Sequence, residues 1–144
     1  MDAIATDVWQ VSGPGLRMPG GVTMPVSSTV IRLPDRSLLV YSPVAFDDAA
    51  AAAIEAAGEV AHIVAPNRYH HLFAAAAAAR WPRATVHAAP GVADKQPALA
   101  GARALGGPPG GDAPWGDAIA LELVGGVPKL DEVVLLHRPS GTLL

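Results

Sequence analysis

No cysteine occurs among the 144 residues. That excludes disulfides, a thiolate nucleophile and a thiolate metal site, so a bound metal would have to take His, Asp or Glu ligands; the redox compartment is left open. Basic patches are missing as well. Ten Lys and Arg stand against 13 Asp and Glu, for a net charge of −3, and no basic stripe runs along the chain, which excludes an electrostatic nucleic-acid footprint. Nor is there a run approaching the roughly 18 uninterrupted apolar residues of a membrane span. The start, Met1-Asp2-Ala3-Ile4-Ala5-Thr6-Asp7, lacks the basic and apolar regions of a secretory signal. The expectation is a cytoplasmic protein with no membrane and no nucleic-acid partner.

What is present suffices for a core. Apolar residues make up 51% of the chain, mean hydropathy is +0.31, and residues 1–144 read as one domain. Gly and Pro gather in two segments expected to be flexible loops, 12–25 and 106–116.

Between those loops strand and helix signals alternate. Val8 to Val11 reads as a weak strand. Ser28 to Leu33 and Ser37 to Tyr41 read as a hairpin around Pro34-Asp35-Arg36, its second arm apolar enough to be central. Asp47 fits an N-cap, with Asp48 in the first turn of a helix through Ala57 and Gly58 as its stop. Capping accounts for these paired carboxylates better than acid–base chemistry does. Val60 to Val64 reads as a strand, and Arg68 to Trp81 as a helix capped by Asn67 and ended by Pro82. Ala84 to His87 reads as a short strand, Pro90 to Pro97 as a loop or short turn, and Ile119 to Val124 and Glu132 to His137 as strands around a Gly125-Gly126-Val127-Pro128 turn. An opening hairpin followed by βα pairs predicts an α/β (α+β) fold with a mixed sheet and flanking helices. Ser140 to Leu144 reads as the start of a further strand, implying a longer parent whose absent half would cover an exposed sheet face; a homo-oligomer would serve the same end.

Pro66-Asn67-Arg68-Tyr69-His70-His71-Leu72-Phe73 is the segment where a site is expected, because it places two histidines at a strand–helix junction. Adjacent helical residues point about 100° apart, so His70 and His71 would not grip one ion easily. Three readings stay open. One ring is a core histidine and the other a surface residue; the pair ligates a metal with further help; or Asn67, Arg68, His70 and His71 contact a small ligand or anion at the helix N-terminus. His137 ends an apolar strand and is the third candidate metal ligand. His62 and His87 lie inside strands and read as structural. Ser140 beside His137 is explained by a Pro-Ser-Gly turn, and Gly13-Pro14-Gly15 and Gly20-Gly21 lack phosphate-loop spacing. No Ser-His-Asp arrangement is legible.

Several blocks taken together, in order from Thr29 onward, carry a resemblance: Thr29 to Asp35, Leu38 to Pro43, His62 to Asn67 with His70-His71-Leu72-Phe73, Ala88 to Gly91, and Glu132 to Ser140 with Thr142-Leu143. They resemble a bacterial and plant family of unknown function with a metallo-β-lactamase-like fold. The resemblance implies a four-layer αββα sandwich, here in partial form. It also implies the signature of that fold, a His-x-His-x-Asp-His motif on the loop after a strand, with a later His and a bridging Asp. Laid on this chain, the loop's first two histidines fall on Pro66 and Arg68 and its last two positions on His70 and His71, with His137 resembling the later His. A degenerate motif of this kind implies a protein that is non-catalytic or binds a small ligand or anion near His70 and His71, with no cofactor expected; the alternative is a metal-dependent hydrolase with a reduced site of His70, His71 and His137 that holds zinc or iron.

Overall fold

The computed structural model describes residues 1–105, 114–126 and 130–144. Most of the expected loop 106–116 and the Val127-Pro128 half of the expected turn lie outside the described residues.

The amino-terminal half opens with β1 (Asp2–Ala5) and β2 (Val8–Ser12), then a two-stranded ribbon of β3 (Leu16–Arg17) and β4 (Thr23–Met24) inside the expected loop 12–25. The hairpin β5 (Ser27–Arg32) and β6 (Leu38–Tyr41) follows, antiparallel, with Val30 opposite Val40 and Ile31 opposite Leu39. Helix α1 (Asp48–Ala57) starts as its sequence dictates: the Asp47 carboxylate accepts the amide of Ala50 at 2.7 Å. Gly58 ends it for a different reason from a left-handed turn. A Cβ there would lie 2.8 Å from the Arg36 carbonyl oxygen and 3.2 Å from Leu38, so glycine permits helix end and hairpin turn to touch.

Next come β7 (Val60–Ala65), α2 (Ala74–Arg80), β8 (Thr85–Ala88), a single helical turn α3 (Val92–Lys95) and β9 (Arg103–Ala104). β6, β7, β8 and β9 are mutually parallel. The large sheet therefore runs β1-β2-β5-β6-β7-β8-β9, antiparallel on one side and parallel on the other, with the apolar β6 central. The carboxy-terminal β10 (Ile119–Val124), β11 (Glu132–His137) and β12 (Thr142–Leu143) form an antiparallel three-stranded sheet; the expected final strand is β12.

Two faces of the large sheet bury two cores. Val30, Leu38, Val40, Val60 and Ile63 pack under Ala51 and Ile54 of α1 and Ala77 of α2. Ile31, Leu39, Tyr41 and Val64, on the opposite face by strand alternation, pack against Ile119, Val133 and Leu135 of the small sheet. The described residues thus form three layers, helices, large sheet and small sheet. Tyr41 joins the two sheets directly, its hydroxyl donating to the Val133 carbonyl at 2.9 Å. Burial, and then the Glu132 carboxylate, push that phenol well above its ordinary range.

Among the described residues, no helix is long and apolar enough to cross a membrane.

Candidate functional site

The parallel strands β6, β7 and β8 end on the same edge of the large sheet, and the residues that follow them meet there. Ser42 follows β6, Pro66 to Phe73 follow β7, and Gly91 with α3 follow β8. The expected helix over Arg68 to Trp81 begins only at Ala74, and Asn67 does not cap it. The Asn67 carboxamide oxygen instead accepts the amides of Tyr69 and His70, both at 2.8 Å. At the same time the Arg68 amide donates to the Leu130 carbonyl and the Val133 amide to Pro66. Those bonds draw residues 66–70 toward the small sheet and out of helical register.

Asn67 is only 1% exposed, and its amide nitrogen lies 3.0 and 2.8 Å from the two Glu132 oxygens. The residue is fully used by the fold, and its oxygen takes up two of the N–H groups that an anion at this turn would need. Arg68 is likewise engaged, with Asp94 at 3.4 Å and Asp131 at 3.8 Å. Its guanidinium lies against Gly91, where a Cβ would come within 2.6 Å of Cζ.

His70 is exposed, and its Nδ1 lies 3.1 Å from Ser42 Oγ. His71 is half-buried, with Nδ1 enclosed and without a hydrogen-bond partner. Burial first, and then the Lys95 ammonium, hold this imidazole below its ordinary pKa. Both effects favour the neutral ring. Lys95 itself sits over the Tyr69 ring at 4.5 Å from its centroid.

His137 belongs to the other end of the sandwich. β11 starts at Glu132, bonded to Asn67, and reaches His137 five residues later, roughly 16 Å away at about 3.3 Å per residue. There His137 is 2% exposed and meets Ser140 Oγ at 2.7 Å, which in turn meets Thr142 at 2.7 Å. Burial lowers its pKa, opposed by Asp7 in the β1–β2 turn. The structure brings His70 and His71 to one edge with Asn67 and Arg68, and does not bring His137 to them.

These residues do not fit the metal loop that the resemblance implies. Pro66 and Arg68 offer no ligating side-chain nitrogen, the Asn67 and Glu132 side chains satisfy each other, and among the described residues no three His, Asp or Glu form a group able to hold a metal ion.

His62 and His87 form a second cluster, on the buried face between the sheets. Their Nδ1 and Nε2 atoms are 3.2 Å apart, and Trp115 packs on both rings, with centroids at 5.7 and 4.9 Å. Ser42, Gly91, Lys95 and Glu132 are site residues that the sequence did not single out. Only the Ser42-Pro43 break after an apolar strand signalled any of them.

The solved structures most similar to this one include metallo-β-lactamases. One from Hirschia baltica is 16% identical with a TM-score of 0.68, covering 98% of this chain and 67% of that one. Another from Pseudomonas aeruginosa, in its mono-zinc form, is 17% identical at 0.64, covering 93% and 62%. A third, from Erythrobacter litoralis, is 16% identical at 0.68, covering 96% and 65%. The chain therefore spans about two thirds of the length of these structures, and at such identities the likeness shows the fold. No curated protein matches the sequence. Residues 15–144 match the family described as Domain of unknown function (DUF4336), and the chain belongs to that family, with a metallo-β-lactamase-like fold.

Proposed function

We propose that this protein binds a small anionic ligand beside His71 at the open edge of the large sheet, and that the edge does not perform zinc-dependent hydrolysis. The observation that carries this reading is the state of His71: a neutral ring with a buried, unpartnered Nδ1, next to the Lys95 ammonium. A buried N–H without an acceptor costs more than a bare ring nitrogen in the same place, because its desolvation is uncompensated. The proton therefore sits on Nε2, which gives the edge a neutral donor close to a cation. A carboxylate or phosphate is the chemistry that uses both.

Pro66, Asn67 and Arg68 support the same reading from the other side. Each is committed to the joint between the sheets, so the segment that holds metal in the signature serves here as a structural clamp. The test is an NMR titration of the histidine ring resonances with inorganic phosphate and with acetate, alongside a hydrolysis assay on a chromogenic β-lactam. Saturable shifts at His71, abolished in a His70→Asn/His71→Asn variant and accompanied by no β-lactam turnover, are expected. Turnover that requires those histidines and added zinc would refute the reading.

A further inference from the structure

We propose that Ser42 and His70 form a nucleophile–base pair able to cleave carboxylic esters. Beyond the anion reading, this inference shares its edge of the sheet but does not depend on it.

The geometry starts with the backbone. Ser42 adopts φ +53°, a left-handed conformation uncommon for a residue with a side chain. It is held there from both sides: its amide donates to the Val64 carbonyl at 2.9 Å, and the next residue, Pro43, is buried. Strained residues fixed in this way gather at reactive sites, because the surrounding fold has to over-determine them. The turn points the hydroxyl back across the edge to His70, with Oγ 3.1 Å from Nδ1, within the reach required of a general base and its nucleophile.

His70 is positioned in turn. Its amide is bonded to the Asn67 oxygen, and Asn67 is anchored on both oxygens of Glu132. A line of contacts thus runs from the small sheet through Glu132 and Asn67 to the backbone of the base. His70 is exposed and Ser42 half-exposed, so a small ester can reach Oγ from solvent. This pair is 28 residues apart in sequence, which hides it from any local motif.

The chemistry balances with water alone. Oγ adds to the ester carbonyl carbon as its proton passes to Nδ1 of His70; the bond from that carbon to the alkoxy oxygen breaks, and the alcohol leaves with the proton. Water then adds to the acyl-serine, its proton passing through His70, and the carbon–Oγ bond breaks to release the acid and restore Ser42.

The experiment is exposure of the full chain to an alkyl fluorophosphonate at pH 8, with the adduct located by peptide mass spectrometry, and turnover of p-nitrophenyl acetate in parallel. A single adduct on Ser42 is expected, with both adduct formation and turnover slowed about 100-fold or more in His70→Gln, the usual scale for losing a positioned base. Ser42→Gly, which accepts the positive φ and keeps the backbone bond, should fold normally and lose both. An adduct elsewhere, no adduct, or an adduct whose rate ignores His70→Gln would overturn the proposal.

Discussion

The amide group of Asn67 is bonded to both carboxylate oxygens of Glu132, at 3.0 and 2.8 Å, while its oxygen holds the amides of Tyr69 and His70. One buried side chain thus joins the loop after β7 to the first residue of β11. Replacing it by alanine leaves two amides and a half-buried carboxylate unsatisfied. Asn67→Ala should lower stability by about 2–4 kcal/mol, read as a shift of the urea midpoint without a change of slope.

Tyr41 makes a further bond between the sheets, and it lies in the inter-sheet core. Tyr41→Phe keeps the ring and removes the bond, leaving the Val133 carbonyl without that donor. The expected cost is about 1–2 kcal/mol, measured the same way. Because both residues clamp the sheets, the double variant should lose more or less than the sum of the two, by at least about 0.5 kcal/mol.

Gly91 has φ +72° and packs under the Arg68 guanidinium. Gly91→Ala adds backbone strain and pushes Arg68 off the loop, so a loss of roughly 1–3 kcal/mol is expected. Gly20, at φ +87° with open space around it, has only the first of these costs, and Gly20→Ala should lose less. Thermal melts of the two variants compare them directly.

The paired imidazoles set a pH dependence. Burial, then His62 and Arg103, depress His87 to about 4; burial also lowers His62, with Asp35 opposing and Arg103 assisting. A depressed histidine binds its proton in the unfolded chain first, near pH 6.5. The stability it contributes is therefore complete above about pH 6.5 and is lost as the pH falls through about 4. For His87 this amounts to roughly 3 kcal/mol, and His71 and His137, also lowered by burial, add in the same direction. Urea midpoints between pH 7 and 4 should fall steeply, and less so in His87→Gln.

Local signals made much of the fold legible. The β5–β6 hairpin, the Asp47 cap and the strands β7, β8, β10 and β11 follow from alternation, capping and apolar runs. The β1 strand is not legible locally because four mostly exposed residues carry no periodic signal, nor is the β3–β4 ribbon, because glycine and proline around it read as loop. Helix α2 starts at Ala74 rather than Arg68, since Asn67 bonds to the amides of Tyr69 and His70 in a tertiary setting that alanine propensity does not register. The site divides in the same way. Segment 66–73 was visible as a junction, whereas the partners Ser42, Gly91, Lys95 and Glu132 come from distant strand ends. That His137 lies far from His70 depends on the direction of β11, which no local pattern specifies.

In the reading proposed above, the sheet end carrying His70 and His71 is a clamp and ligand site rather than a zinc centre. Elemental analysis of the chain, purified without chelator and equilibrated with zinc before desalting, tests it most directly. Zinc far below one ion per chain is expected, at the same level in His70→Asn/His71→Asn. One or more zinc ions per chain, lost in that variant, would contradict it.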